Sequence, residues 1–576
     1  FRSGKLEDEF NHIIYENALS QNEYKKEELD REKELTDEFH QAMAIEDIHI
    51  RLQKIADIKR RAEQLKYKKS GLSKRRNASI NERLKELEAF HNKIANIKLL
   101  DPACGSGNFL TESYISLRRL ENRVISEIRD IKTGISSNTD VAGQISFTDL
   151  TSEVDNPIKV SISNFYGIEI NDFAVTVGKT ALWIAESQMM KETEDILHMN
   201  LDFLPLKTNA GIHEGNALLI DWNDVIPSSE LTYIMGNPPF IGARKMDKDT
   251  TIPKEKRHQK KDMEIVFGKI KGIGNLDYVS AWYKKAADYI KSTYITCAFV
   301  STNSITQGEQ PAILWDYLFN QGIVINFAYK TFRWDSEAKL KAHVHCVIIG
   351  FSYISLPNKK IYDNGNTYDA ANINGYLIDF DDIHIESRRT PLYDVPQIGM
   401  GNQPIDDGNY LFSESEMEDF IKIEPLSAKY FKPWYGADEF LKNSPRYCLW
   451  LGECSPDELA KMPQCLKRIE NVHQYRLQSD RLSTKKLADT PTRFQTENMP
   501  KGNYIVIPEV SSEKRRIIPM GYMNDSVLCS NKLRLMPNAE LYHFSILQSN
   551  IHMAWMRVVA GRQNAEIVQI GIRNGH

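Results

Sequence analysis

Apolar and polar positions change their rhythm along the chain, and each rhythm predicts a different kind of element. Through residues 1–96 charge dominates. Glu23 to Glu38 is mostly acidic, Lys59 to Arg76 mostly basic, and glycine is nearly absent, which is the texture of long solvated helices. Ser79 with Glu82 predicts a capped helix start, after which Ile80, Leu84, Leu87 and Ile94 recur on one face. From residue 97 short apolar runs alternate with helical patterns: Ile97-Lys98-Leu99-Leu100 as a strand, Phe109 to Arg129 as a helix, Asn164 to Ile168 as a strand, Ile212 to Leu218 as a strand-adjacent turn, and Leu231 to Met235 as a buried strand. Residues 131–157, rich in Gly, Ser, Thr and Asn, read as a surface loop. Such alternation predicts an α/β domain with a doubly wound, Rossmann-like sheet.

Beyond about Pro391 the texture shifts to short strands and turns, with Pro396, Gly399, Gly401, Pro404 and Gly408 marking a boundary. Tyr504 to Pro508 and Ile517 to Met520 read as strands, and Ser545 to Val559 as an amphipathic helix with Ile546, Ile551, Trp555 and Val558 inward. The expected organisation is a helical connector over 1–96, a catalytic α/β domain over 97–390, an α+β domain over 391–562, and a tail over 563–576.

Composition narrows the class. A chain of 576 residues with 41% apolar and 26% charged residues suits a soluble protein of several globular domains. Its apolar stretches are too short to span a bilayer and it opens, Phe1-Arg2-Ser3-Gly4, without a signal-peptide pattern, so a cytoplasmic protein cut from a longer chain is expected. Seven cysteines at irregular spacing point to reduced thiols. Cys448, Cys454 and Cys465 lack the paired spacing of a zinc site, and His343, His345 and Cys346 read as strand residues, so no metal is expected.

The strand ends carry the candidate chemistry. The run from Leu231 ends in Asn237-Pro238-Pro239-Phe240, where two prolines remove backbone donors, Asn237 offers an accepting oxygen, and Phe240 a flat apolar face. Acceptors aimed at a planar amine stabilise the positive charge that develops when its nitrogen attacks, and the ring holds a base extruded from a duplex. An ordinary strand-ending turn is the competing reading. After Leu100 comes Asp101-Pro102-Ala103-Cys104-Gly105-Ser106-Gly107-Asn108, a strand, glycine turn and helix start that lets a ligand approach the backbone. Glu169 is a carboxylate at a strand tip, suited to two ribose hydroxyls, and Asn216 sits where it can meet an adenine edge.

Net charge is −5, yet distribution matters more than sum. Ten lysines and arginines lie between Arg244 and Lys271, directly after the candidate pocket, with Arg244, Lys245, Arg257 and Lys260 read as phosphate contacts. Further basic islands are Lys467, Arg468, Arg476, Arg481, Lys485 and Lys486, and Lys514-Arg515-Arg516. Double-stranded DNA is the expected partner.

Taken together, DPACGSGNFL, GIEI, GNAL and NPPF, followed by Leu276 to Tyr283, Phe299 to Gln310 and Tyr329 to Trp334, resemble the S-adenosylmethionine-dependent adenine-N6 methyltransferases of DNA. Over roughly residues 80–562 the chain is similar to the methyltransferase and target-recognition part of the MmeI-like type IIL restriction–modification enzymes. The resemblance implies that Asp101, Ala103, Gly105 and Gly107 border the methionine end of S-adenosylmethionine, Glu169 its ribose and Asn216 its adenine, with Asn108, Ile170 and Ala217 also lining the cofactor. It implies that Asn237, Pro238, Pro239 and Phe240 hold the target amine, with Phe332 or Trp334 on the base's other face. The PD-(D/E)xK pattern of the family's nuclease is not found before residue 98, so cleavage is not expected of this chain, although a nuclease can act beside it. Neither the family's tyrosine–threonine turn, in 1–98, nor its C-terminal region, in Gln563 to His576, is matched; the expectation is a truncated copy. Two alternatives remain: a DNA-binding remnant without catalysis, and a methyltransferase acting on a protein glutamine.

Overall fold

The computed structural model describes residues 4–45, 48–137, 157–198, 201, 210–248, 258–335, 343–386, 393–512, 515–560, 562–564 and 567–569. The chain divides into two compact units: Phe1–Pro239 with Ala281–Phe299, and Phe240–Ser280 with Val300–His576.

In the first unit, helices α1 (Gly4–Met43) and α2 (Ile48–Ala95) form a hairpin. Lys93 pairs with Glu9, Phe90 stacks near Phe10, and Arg61 meets Glu38, so partners approach each other along the chain and the helices run antiparallel. Helix α2 is continuous through Ser79, where the capping pattern predicted a start. Its residues from 48 onward are mostly good helix formers, and a capping pair inside such a run does not interrupt it. Leu87, Phe90 and Ile94 are buried as the periodicity predicted, while Ile80 and Leu84 are half-buried.

Five parallel strands follow in the order β3-β2-β1-β4-β5: β1 (Leu99–Asp101), β2 (Phe165–Glu169), β3 (Gly211–Glu214), β4 (Tyr233–Gly236) and β5 (Thr296–Thr302), the last running on into the second unit. Between them lie α3 (Asn108–Ser137) and α4 (Asp172–Leu197). Leu99 and Met235 join a core with α2, α3 and α4, whereas their neighbours Leu100 and Ile234 are equally buried outside it, so both faces of the sheet are covered. The order reverses between β1 and β4, the switch point where a doubly wound sheet opens a ligand crevice. Helix α3 runs to Ser137, well into the expected loop; residues 138–156 lie outside the described residues.

A buried polar hub locks the helical hairpin to this sheet. Glu121 on α3 accepts from the Lys159 and Val160 N–H groups at 2.6 and 3.0 Å, shares a hydrogen bond with His91 of α2, and pairs with Arg118, which donates to Thr193 of α4. Burial pushes the Glu121 carboxyl up, but these partners hold it below its ordinary value.

Helix α6 (Ser280–Tyr289) belongs to the first unit from Ala281 onward, and the second unit contains α5 (Gln259–Phe267), α7 (Gln310–Asn320) and strands in the order β7-β6-β8-β9, with β6 (Val324–Asp335), β7 (His343–Ser352), β8 (Lys359–Asp363) and β9 (Asn366–Ala370). Beyond residue 393 come two four-stranded sheets. One centres on Tyr504–Pro508, paired with Leu533–Pro537 and Gly521–Met523; the other centres on Phe431–Tyr435 and Arg446–Leu449. Pro391, the expected boundary, lies outside the described residues.

Three sequence readings are corrected here. The strand expected at Ile517 to Met520 begins instead at Gly521; Pro519 lacks the N–H a ladder needs. Ser545 to Val559 is two helices, Leu541–Leu547 and Asn550–Val559, because Ser549 caps the second through the His552 N–H. The break resets the phase: Met553 and Met556 point inward, while Ile546, Ile551 and Trp555 are exposed, Ile551 at 83%. The Val558 side chain lies outside the described residues.

Arg476, read as one of the basic surface residues, is fully buried in the helix Pro463–Leu477. All five of its N–H donors go to main-chain carbonyls, those of Pro404, Ile405, Leu487, Thr490 and Arg493, at 2.8–3.0 Å. Desolvation lowers its pKa, yet the satisfied fork holds a guanidinium in the interior. Arg468 is likewise occupied, lying 4.5 Å above the Phe412 ring and donating to the Asn409 carbonyl. Among the described residues no helix is long and apolar enough to cross a membrane.

Candidate active site

The first unit gathers its chemistry at the carboxyl ends of β1, β2, β3 and β4. After Asp101 the chain turns through Gly105 (φ +53°) and Gly107 (φ +80°), a backbone that side chains rarely adopt. A Cβ on Gly107 would stand 3.1 Å from Gly178 Cα of α4, so two glycines let the turn and helix touch; a Cβ on Gly105 would meet open space. The turn is tied down by Cys104 N–H to the Ile168 carbonyl (3.1 Å), Gly107 N–H to the Cys104 carbonyl (2.8 Å), and Trp282 Nε1–H to the Pro102 carbonyl (3.1 Å). Burial raises the Cys104 thiol well above its ordinary value, which fits a packing role.

Glu169 closes this turn. Oε2 accepts from Gly105 N–H and Oε1 from Asn171 N–H, each at 2.9 Å. A carboxylate has about four acceptor sites, so two backbone bonds leave capacity for two hydroxyls. Ile170 next to it is 68% exposed, and Phe173, in the first turn of α4, is 74% exposed. Phe173 was not singled out in the sequence; an aromatic residue four places after a strand-tip carboxylate is the signal that was available. Across from β2, Gly215 donates to the Glu169 carbonyl at 2.8 Å. Asn216 Oδ1 accepts from Leu218 N–H at 3.0 Å, and buried Ala217 accepts from Trp222 Nε1–H at 2.8 Å. Asn108 opens α3, its Oδ1 accepting from Ser106 Oγ at 3.3 Å.

Asp101 is buried. Its Oδ1 accepts from Ala103 N–H at 3.0 Å, while Oδ2 has no hydrogen-bond partner among the described residues. Burial, aided by the charge of Glu169, pushes its pKa up to about 7 against the opposing Ala103 bond. A Cβ on Gly236 would lie 2.5 Å from Asp101 Oδ1, so only glycine fits immediately before Asn237. Asn237 is half-buried and its Oδ1, shielded from solvent, also has no partner among the described residues. Pro238 is buried, Pro239 exposed.

In the second unit, Phe240 is half-buried and begins a segment that leads to exposed Arg244, Lys245 and Lys260. Buried Met246 and a reciprocal pair of bonds between Asp247 and Gln259, at 2.9 and 3.0 Å, anchor the two ends of this basic loop. Arg257 lies outside the described residues, as does Lys514. Phe332 is half-buried on β6, its ring centre 6.2 Å from that of Trp334, which is 44% exposed. Lys467, Arg481, Lys485, Lys486, Arg515 and Arg516 face solvent.

The donor set fits S-adenosylmethionine on structural grounds. A carboxylate with spare lone pairs at a strand tip suits a ribose, and an open glycine turn with buried Asp101 Oδ2, which lacks a partner among the described residues, suits a cationic amino acid end.

Residues 76–363 match the family described as MmeI, DNA-methyltransferase domain, and residues 379–567 match MmeI, target recognition domain. DNA methyltransferase A of Bacillus subtilis (strain 168) is 40% identical over 481 residues, 83% of this chain and 52% of that protein. The solved structure of the type IIL restriction–modification enzyme MmeI in complex with DNA has a TM-score of 0.74 at 40% identity, covering 84% of this chain and 62% of that one. The chain thus spans about half the length of the first relative and 62% of the second.

Proposed function

Because the chain belongs to the MmeI family of DNA methyltransferases with a target recognition domain, we propose that it transfers a methyl group from S-adenosylmethionine to the N6 amine of adenine at a specific DNA sequence, within a restriction–modification system. Residues 97–390 carry the transfer and 391–562 read the target. When bound, the cofactor supplies an electrophilic methyl on a positively charged sulfur. Asp101, Ala103, Gly105, Gly107 and Asn108 border its methionine end; Glu169 accepts from the ribose hydroxyls; Ile170, Asn216 and Ala217 border the ribose and adenine.

The observation that carries this reading is the solvent-shielded Asn237 Oδ1, without a partner among the described residues, next to rigid Pro238. Left unsatisfied, such an oxygen costs about 1–3 kcal/mol. Accepting from the target amine would remove that cost and stabilise the positive charge that develops on its nitrogen as it takes up the methyl group. The amine then loses a proton to solvent. Phe240, with Phe332 as the second ring, stacks on the extruded base, while Arg244, Lys245, Arg257 and Lys260 contact phosphate.

Incubation with labelled S-adenosylmethionine and mixed-sequence duplex DNA tests the proposal. Label in N6-methyladenine that disappears with Asn237→Ala supports it. A retained gel shift without label indicates a binding remnant, and label confined to protein removes DNA as substrate.

A further inference from the structure

The stretch Leu276 to Tyr283 has no part in the chemistry above, yet it holds a deeply buried carboxylate. Asp277 is 3% exposed, and burial raises its pKa. Its Oδ1 accepts from the Ile241 N–H at 3.1 Å and from Val279 N–H at 3.2 Å. The next residue completes the grip: Tyr278 N–H donates to the Ile241 carbonyl at 3.0 Å. Both main-chain polar groups of Ile241 are therefore bound by two consecutive residues. That pair is itself anchored, Asp277 N–H donating to Gln310 Oε1 at 3.0 Å and the Tyr278 hydroxyl to buried Asp262 at 2.7 Å.

Ile241 directly follows Phe240. On one side of Phe240 the rings of Pro238 and Pro239 fix φ; on the other, the main chain is clamped. Two fixed neighbours leave Phe240 little freedom, and stacking against a planar base depends on ring placement to a fraction of an ångström. We propose that Asp277 is a positioning residue for methyl transfer: its carboxylate, through Ile241, holds the Phe240 ring where the extruded base must stack. The inference rests on the proposed function for the identity of the base and on the observed bonds for the clamp.

The test compares wild type, Asp277→Ala, Asp277→Asn, Gln310→Ala, Phe240→Ala, Asp277→Ala/Phe240→Ala and Gln310→Ala/Phe240→Ala. The measurements are labelled methyl transfer to mixed-sequence duplex DNA, S-adenosylmethionine affinity by calorimetry, and hydrogen exchange at the Ile241 amide. Asp277→Ala should lower kcat about 10- to 100-fold with cofactor Kd unchanged. Asp277→Asn should restore turnover to within about threefold, because a carboxamide oxygen accepts the same two N–H groups. In the Phe240→Ala background, Asp277→Ala should cost less than about twofold more. Multiplying effects, a failure of Asn to rescue, or parallel loss of cofactor affinity would overturn the proposal. Should Asp277→Ala not fold, Gln310→Ala must show a smaller kcat loss that also vanishes without Phe240; a loss persisting there overturns it equally. If wild type labels no DNA, the function fails first, and the clamp is judged by exchange alone: an Ile241 amide no faster in Asp277→Ala, or in Gln310→Ala if that is the variant that folds, than in Asp277→Asn refutes it.

Discussion

The main-chain N–H of Gly105 donates to Oε2 of Glu169 across 2.9 Å, joining the glycine turn after β1 to the tip of β2. The bond sets the spacing between the parts of the site assigned to the methionine and ribose ends of one cofactor. It also holds Gly105 in a left-handed conformation with open space where a side chain would be. A ligand there meets main chain directly.

Phe240→Ala should lower turnover and leave cofactor affinity untouched, since the proposed function has the ring act on the base. Loss of stacking is worth about 1–3 kcal/mol, or roughly 5- to 150-fold in rate. Single-turnover methylation set beside calorimetric cofactor binding checks it; equal losses in both would contradict the assignment.

Gly236→Ala places a Cβ 2.5 Å from Asp101 Oδ1 and must displace either the buried Asp101 carboxylate or β4 just before Asn237. Such overpacking costs about 1–3 kcal/mol of stability. The methyl-transfer rate should fall by a larger factor than DNA affinity does; unaltered turnover in the folded variant would show that Asn237 tolerates displacement.

Asp101 carries a pH prediction. Its folded pKa of about 7 stands above the roughly 3.9 of an unfolded aspartate, so between those values the folded chain holds a proton that the unfolded chain has released. Stability from this group therefore falls as pH rises through that window and levels off above about 7. Asp101→Asn keeps the Ala103 bond and removes the slope. Denaturant titrations should show the variant gaining more at pH 8 than at pH 5, by a few kcal/mol at most; the same difference at both values would refute the assignment.

Replacing Arg244, Lys245 and Lys260 together by alanine should flatten the salt dependence of DNA affinity. Each lost phosphate contact reduces the slope of log K against log salt by about 0.9. An unchanged slope across a salt series in a binding assay would mean that this loop faces away from the duplex.

Much of the fold was legible because its signals are local. Apolar runs closed by the turn through Gly105 and Gly107 and by Asn237-Pro238-Pro239 mark strand ends, and a carboxylate at the tip of β2 follows the same logic. Where the sequence misled, the deciding contacts lie far along the chain. Arg476 looks like a surface cation because four of its five acceptors belong to residues 404–405 and 490–493, outside its immediate neighbourhood, and the fifth to Leu487. Ile551 and Trp555 follow a plausible stripe, but one capping serine shifted the helix phase and Met553 took the core side. Asp277 was visible only as part of a motif; its bond to Ile241 spans a loop that no periodicity encodes.

Arg476→Lys should cost on the order of 3 kcal/mol, since three ammonium donors replace a fork that serves five carbonyls. Chemical denaturation checks the loss, and cofactor affinity should not follow it.

One cation thus staples stretches around residues 404, 487 and 493 by their main chains alone. The outward groups near them, Asp407, Lys485 and Lys486 among them, take no part in that staple. Mutation can rewrite those outward groups while the loops keep their course, so this region is free to vary in what it touches without having to be folded anew.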